Sequence, residues 1–378
     1  MQYRGTHRLA TLFNPRSIAI VGASERSTWT VVMRQSLRDY GFDGPVYAVN
    51  RDGKTVFGWP GYTCCAAIGA PVDAAYICVP QDAVAEALED VGRAGIRAAV
   101  VLTSGFAESG PTGADQQRRL ADRASALGIV LLGPNCLGFA NIGHRTALTA
   151  IPARTRPIAG SVSLVCQSGA TAAEIFEFAQ QQSVGIHFFA TTGNEALIGV
   201  ADVLDYLVDD PSTRVVMMFA ESVRRPDVFI AAVQRALAAG KPVIALKVGA
   251  SALAARAAAA HTGALVGDQR IFAAMCEHHG VILVESLEDL VVTAALLAHT
   301  GPLPAGGLAV ASISGGACTL ASDIAARAGV PLPPFARDTV DRLRALLPSY
   351  ASTLNPLDVT GAYVRDPALL ERVLACIG

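Results

Sequence analysis

Long apolar runs are missing from this 378-residue chain: Gly, Ser, Arg or Asp interrupts every hydrophobic stretch. A spanning helix needs about 20 apolar residues in succession, so no membrane segment is expected despite a hydrophobic content of 52%. Charge is scarce and nearly balanced, with 30 Lys and Arg against 32 Asp and Glu. A net charge of −2 leaves no electrostatic case for nucleic acid. The eight cysteines, at 64, 65, 78, 136, 166, 276, 318 and 376, contain no C-x-x-C pair. That spacing argues against a structural zinc site and for no metal ligands of the chain's own; the thiols read as small buried hydrophobes in a reducing compartment. The first residues, Met1-Gln2-Tyr3-Arg4-Gly5-Thr6-His7-Arg8, lead into no apolar run of signal-peptide type. These absences describe a soluble cytoplasmic protein. The G-x-G-x-x-G fingerprint is missing too: Ser24-Glu25-Arg26 stand where its later glycines belong, which weakens an NAD reading.

What is present is a repeated beginning. Ser17-Ile-Ala-Ile-Val-Gly22-Ala-Ser24, Ser161-Val-Ser-Leu-Val-Cys166-Gln-Ser-Gly169-Ala and Gly307-Leu-Ala-Val-Ala-Ser-Ile-Ser-Gly315-Gly316 each join an apolar strand to a Gly/Ser turn and a helix-compatible stretch. They start about 145 residues apart, a common domain size. Three successive α/β domains are expected, over 1–145, 150–300 and 305–378; so little chain follows the third's first strand that it is either a small domain or, the favoured reading, one whose sheet is incomplete. In the first, strands are expected at 17–22, 45–50, 74–80, 98–102 and 130–133, with helices at 28–40, 82–94 and 115–127. The second repeats the alternation, with strands at 161–166, 185–190, 214–220, 242–247 and 281–283 and helices at 169–182, 199–209, 225–239, 268–279 and 286–299. The third offers helices at 317–328 and 337–347. Such alternation implies right-handed βαβ units in doubly wound parallel sheets, whose Val/Ile/Ala strands are buried on both faces. Ligands in these sheets bind beyond the strands' carboxyl ends.

The chemistry therefore lies in the strand-end loops. Gly22-Ala23-Ser24 and Gln167-Ser168-Gly169-Ala170 each end a strand and open a helix. Free N–H groups there can meet a phosphate, although a plain tight turn has the same composition. Asn135-Cys136 and Gly193-Asn194-Glu195 are weaker signals of the same kind, and Cys136 reads as a buried small residue rather than a nucleophile. Glu221 closes an apolar strand, where it faces either water or a site. His261 ends an alanine-rich helical run before Thr262-Gly263. A helix-end histidine can simply suit the dipole; beside a carboxylate such as Glu221 it can act as a nucleophile whose tautomer and positive charge are supported.

In chain order, Phe13-Asn14-Pro15-Arg16-Ser17-Ile18-Ala19-Ile20-Val21-Gly22-Ala23-Ser24, Val79-Pro80, Ser104-Gly105-Phe106-Ala107-Glu108 and Gly133-Pro134-Asn135-Cys136-Leu137-Gly138 are followed by Gln167-Ser168-Gly169-Ala170, Gly193-Asn194-Glu195, His261-Thr262-Gly263-Ala264-Leu265 and Asn355-Pro356-Leu357-Asp358. In these motifs and their order the whole chain resembles NDP-forming acyl-CoA synthetases, relatives of the succinyl-CoA synthetase alpha subunit. The resemblance implies consecutive Rossmann-like and flavodoxin-like α/β domains. It implies coenzyme A held by Gly22, Ala23, Ser24, Asn50, Val79, Pro80, Ser104 and Asn135. It implies that His261 carries the phosphoryl group, that Glu221 supports it, and that Gln167, Ser168, Gly169 and Ala170 cradle the phosphate. The implied reaction is acyl-CoA + NDP + phosphate = acid + CoA + NTP, with a carboxylic acid as substrate. It requires an ATP-grasp domain or subunit binding ATP or ADP with Mg, which nothing in this sequence supplies, and implies an oligomer. Ile313 before Ser314-Gly315-Gly316 departs from the family's usual Asn and is similar to aromatic-acid members such as feruloyl-CoA synthetases. A CoA-binding regulatory module of the protein-acetyltransferase kind is the alternative, disfavoured by the presence of His261.

Overall fold

The computed structural model describes residues 7–249 and 268–378, which divide into two compact units, 1–302 and 303–378. Strands Ile18–Val21 (β1), Val46–Val49 (β2), Gly61–Tyr62 (β3), Ala74–Ile77 (β4), Ala98–Val101 (β5) and Val130–Leu132 (β6) form one sheet in the order β3-β2-β1-β4-β5-β6. Every pairing is parallel. This is the Rossmann order, and its reversal of direction falls between β1 and β4. All four residues of β1, β4 and β5 are buried, as expected of strands covered on both faces. Helix Ala10–Phe13 (α1) precedes β1, and helices Thr28–Asp39 (α2), Val84–Arg93 (α3) and Pro111–Ala126 (α4) run between the strands.

The chain then adds an element that apolar patterning did not reveal. Gly138–Asn141 (β7) and Thr146–Thr149 (β8) form an antiparallel hairpin whose first strand pairs antiparallel with Ile186–Thr191 (β10), in the second sheet. A Cβ on Gly138 would lie 1.9 Å from the Leu148 carbonyl oxygen, so only glycine permits this pairing. The rest of the second sheet is Val162–Cys166 (β9), Val215–Ala220 (β11), Val243–Lys247 (β12) and Ile282–Leu283 (β13), in the order β13-β12-β11-β9-β10-β7-β8. Apart from the hairpin its strands are parallel. Counted from β9, the parallel part has the flavodoxin-like order, with its switch between β9 and β11. Helices Gly169–Gln181 (α5), Val200–Asp209 (α6), Pro226–Ala238 (α7), Gln269–His279 (α8) and Leu287–Thr300 (α9) cover it.

The two sheets share one apolar core. Phe13 of α1 packs edge-on against Phe139 and Phe188, with centroids 5.0 Å away in each case, and lies 4.9 Å from Tyr206 of α6. The amino-terminal helix is thereby pinned to the second sheet. In the second unit, Ala311–Ser312 (β14) pairs in parallel with Leu357–Asp358 (β15), alongside helices Gly315–Ala328 (α10), Arg337–Leu346 (α11) and Leu369–Ile377 (α12). Its core is Leu343, Leu347, Leu357, Val359, Leu369 and Val373. No helix among the described residues is long and apolar enough to cross a membrane.

Candidate functional site

At the first switch point Gly22 adopts φ +92°, and a Cβ there would lie 2.6 Å from the Cys78 carbonyl oxygen. The β1 turn and the Cys78-Val79-Pro80 segment after β4 can approach this closely only because that atom is missing. The Gly22 and Ala23 N–H groups donate to the Val49 carbonyl at 2.8 and 3.2 Å, and the Ser27 side chain caps α2 by accepting from the Thr30 N–H. Against this turn lies a cavity of ≈ 900 Å³ lined by Gly22, Ala23, Ser24, Asn50, Val79 and Pro80. The same lining carries four cations, Arg26, Arg51, Lys54 and Arg93, and four carboxylates, Glu25, Asp52, Glu86 and Asp90, with Lys54 paired to Asp52 at 2.8 Å. Asn50 uses its side chain locally, donating to the Lys54 carbonyl at 2.8 Å and accepting from the Lys54 N–H at 2.9 Å, so it shapes the loop.

A second cavity, of ≈ 610 Å³, lies where the carboxyl ends of both sheets converge. Val79 and Pro80 line it as well, so the two cavities share a wall. Ser104 and Asn135 lie here, not on the larger cavity. From the second sheet come Gln167, Ser168, Gly169, Ala170 and Glu221, the residues flanking the switch between β9 and β11. Ser168 caps α5, its hydroxyl accepting from the Thr171 N–H at 3.3 Å. The N-terminal N–H groups of Gly169 and Ala170 thus sit at the cavity wall, an arrangement that favours an anion. A Cβ on Gly169 would lie 2.5 Å from the Leu137 side chain.

Gln167 is a clamp, not a free ligand. Its Oε1 accepts from the N–H groups of Glu221 at 2.6 Å and Ser222 at 3.0 Å, and its Nε2 donates to the Ser222 carbonyl at 2.7 Å. One buried amide therefore fixes the turn after β11 and with it the backbone of Glu221. A second set of bonds ties the loops of the two sheets together. Asn135 Nδ2 donates to Asn194 Oδ1 at 3.2 Å, while Asn194 Nδ2 donates to Gln117 Oε1 at 3.0 Å and to Glu108 Oε2. Glu108 Oε1 also accepts from the Gly105 N–H at 2.6 Å. Three motifs that are weak alone, around Glu108, Asn135 and Asn194, are thus one another's hydrogen-bond partners. Next to Asn194, burial pushes the Glu195 carboxyl above the usual range against opposing hydrogen bonds from Gln167, Val200 and Thr192. Arg224, on the cavity wall, pairs with it at 3.7 Å. Arg224 follows Glu221 by three residues, and a basic pair directly after a strand end was the signal available for it.

Cys136 contributes to the cavity lining but is buried, its thiol donating to the Thr191 carbonyl at 2.9 Å and pushed by burial up to about 11. It is a packed thiol and no nucleophile at neutral pH. At the end of β12, burial holds the Lys247 ammonium below its usual range; its Nζ lies 3.4 Å from the Val248 carbonyl oxygen and 5.7 Å from the Phe272 ring centroid. His261 lies outside the described residues.

Residues 16–142 match the family described as CoA binding domain, and residues 159–297 match the succinyl-CoA ligase like flavodoxin domain. The chain is 35% identical over 370 residues to a trans-feruloyl-CoA synthase from an unknown prokaryotic organism, covering 97% of this chain and 52% of that protein. It is 33% identical over 365 residues to the alpha subunit of an ADP-forming acetate–CoA ligase II of Pyrococcus furiosus, covering 95% of this chain and 78% of the subunit. Among solved structures it resembles the dinucleotide-forming acetyl-coenzyme A synthetase 1 of Ca. Korarchaeum cryptofilum in complex with phosphate and ADP. The TM-score is 0.86 at 33% identity, covering 93% of this chain and 76% of that one. The chain thus spans about half the length of the first of these relatives and about three quarters of the other two.

Proposed function

Because this chain belongs to the family of ADP-forming acyl-CoA ligases, we propose that it is the acyl- and phosphoryl-handling part of such an enzyme, converting acyl-CoA, ADP and phosphate reversibly to acid, CoA and ATP. The observation that carries the proposal is the convergence of two switch points on adjoining cavities, one lined by the Gly22 turn with Arg26, Arg51, Lys54 and Arg93 among its charged groups and one lined by both a helix N-terminus and Glu221. The larger cavity takes coenzyme A. Its fit rests on the cradle at Gly22, which a Cβ would fill, and on Arg26, Arg51, Lys54 and Arg93 for its phosphates. Coenzyme A supplies the thiol, and the wall shared at Val79 and Pro80 leads that end towards the smaller cavity.

In the smaller cavity the N–H groups of Gly169 and Ala170 hold phosphate, and Ser168 keeps the helix end in place by capping it. A phosphate oxygen bonds to the thioester carbonyl carbon as the carbon–sulfur bond breaks and the CoA thiolate leaves, giving an acyl phosphate. The neutral ring nitrogen of His261 then bonds to phosphorus as the bond from phosphorus to the acyl oxygen breaks and the carboxylate leaves. Glu221 stabilises the positive charge on the ring and receives its hydrogen bond. Gln167 positions Glu221 through the turn it clamps. Passing the phosphoryl group on to ADP requires an ATP-grasp domain or subunit with Mg, and we assign the chain to an oligomeric, cytoplasmic assembly containing one. Its eight free cysteines suit a reducing compartment. Calorimetry with CoA and with NAD tests the reading: saturable CoA binding that Gly22→Ala weakens is expected, and tighter binding of NAD would overturn it.

A further inference from the structure

The lining of the smaller cavity mixes polar and apolar groups. Ser168, Gly169, Ala170, Asn194, Glu221 and Arg224 contribute polar groups. Thr103, Ser104 and Asn135 add further polar groups, and the apolar part of the lining is Trp29, Val79, Pro80, Leu102 and Leu137. Trp29 stands out within this group. It is the second residue of α2, directly after the Ser27 cap, and its residue surface is 47% exposed. No other aromatic ring packs against it among the described residues, whereas Phe13, Phe139, Phe188 and Tyr206 make several ring contacts in the core. A large apolar ring left half in water on the wall of a concavity offers a ligand apolar surface to cover.

We propose that Trp29 is the wall of the acyl subsite and that the acid handled here carries an aromatic ring. The inference rests on the ligase reading above. The reacting carboxyl group must meet the phosphate, so it faces the helix end at Gly169 and Ala170, and the acyl tail is left to the apolar lining residues. An acetyl methyl would cover little of Trp29, Leu102 and Leu137 and leave the indole wet. A planar ring covers the indole face and gains the offset or edge-on geometry that aromatic pairs prefer. Trp29 is then a specificity-determining residue that touches the substrate's tail and takes no part in the bond changes.

Calorimetry on the whole chain tests this with CoA, acetyl-CoA and benzoyl- or cinnamoyl-CoA. The native chain is expected to bind the aryl thioester about fivefold or more tighter than acetyl-CoA, the scale of one ring stacked on another. Trp29→Ala should bring the two thioesters to within about twofold, and Trp29→Phe should keep most of the preference, while affinity for CoA itself stays unchanged and reports an intact fold. Equal affinities for aryl and acetyl thioesters in the native chain would overturn the proposal while leaving the ligase reading standing. Equal losses of CoA and aryl-CoA binding in Trp29→Ala would also overturn it, placing the indole on the thiol arm instead. Failure of CoA itself to bind the native chain would remove the ligase reading and this inference with it.

Discussion

Removing the Gln167 clamp should cost both stability and phosphoryl transfer while sparing coenzyme A binding. In Gln167→Ala, three hydrogen bonds to the turn after β11 disappear together, two accepted from the N–H groups of Glu221 and Ser222 and one donated to the Ser222 carbonyl. Each such bond contributes roughly 0.5–1.5 kcal/mol net. The turn borders a cavity, so water can reach part of what is exposed, and a total of about 2–3 kcal/mol is expected. Urea unfolding should show a lower midpoint at an unchanged slope. The second consequence is positional. Glu221 loses the bond that fixes its backbone, so labelling of the chain by phosphate and acyl-CoA should slow about tenfold or more, equivalent to about 1.4 kcal/mol. Gln167→Glu sharpens the case, because it keeps the shape but sets a carboxylate oxygen against the Ser222 carbonyl and adds a negative charge beside Glu221 and Glu195. It should label more slowly than Gln167→Ala. A Gln167→Ala chain with native midpoint and native labelling rate would refute the clamp.

Three further outcomes follow from the geometry. Gly22→Ala places a Cβ 2.6 Å from the Cys78 carbonyl oxygen at φ +92°, so calorimetry should show CoA affinity falling by about tenfold or more; unchanged affinity would remove the cradle from the account. Asn194→Asp replaces the donor to Glu108 and Gln117 with an oxygen; it should destabilise the chain more than Asn194→Ala, and Glu108→Gln should restore about 1 kcal/mol of that loss in a double-mutant cycle, where additivity would show the loops are not coupled. Burial and then the neighbouring His187 hold His144 below its usual range. The unfolded chain therefore binds the extra proton first as pH falls below about 6.5, and stability should drop on going from about pH 7 to pH 5. His144→Asn should flatten that part of the urea-midpoint profile, and an unaltered profile would show that His144 does not set it.

Much of the architecture could be read because its signals are local. Continuous runs such as Ile18-Ala19-Ile20-Val21 and Val215-Val216-Met217-Met218-Phe219-Ala220 are buried strands, and the small polar residues after them are the site loops. The hairpin at 138–149 escaped because its pairing depends on Gly138 tolerating the Leu148 carbonyl, a long-range fact that leaves no periodicity in so short a strand. Side-chain direction escaped for the same reason. Gln167 reads as part of a phosphate turn, yet its amide faces the neighbouring strand end; Asn50 reads as a ligand, yet it closes its own loop. Trp29 and Arg224 sit at ordinary helix-start and loop positions, and only the approach of the two sheets puts them on one cavity.

The central claim is that this chain carries phosphoryl on His261 with Glu221 in support. Incubating it with radiolabelled phosphate and an acyl-CoA, then separating the protein, tests that directly. A label that survives alkali, is lost in acid, falls in Glu221→Gln and is absent from His261→Ala is the predicted result. No label on the native chain, or a label that persists in His261→Ala, would contradict the account.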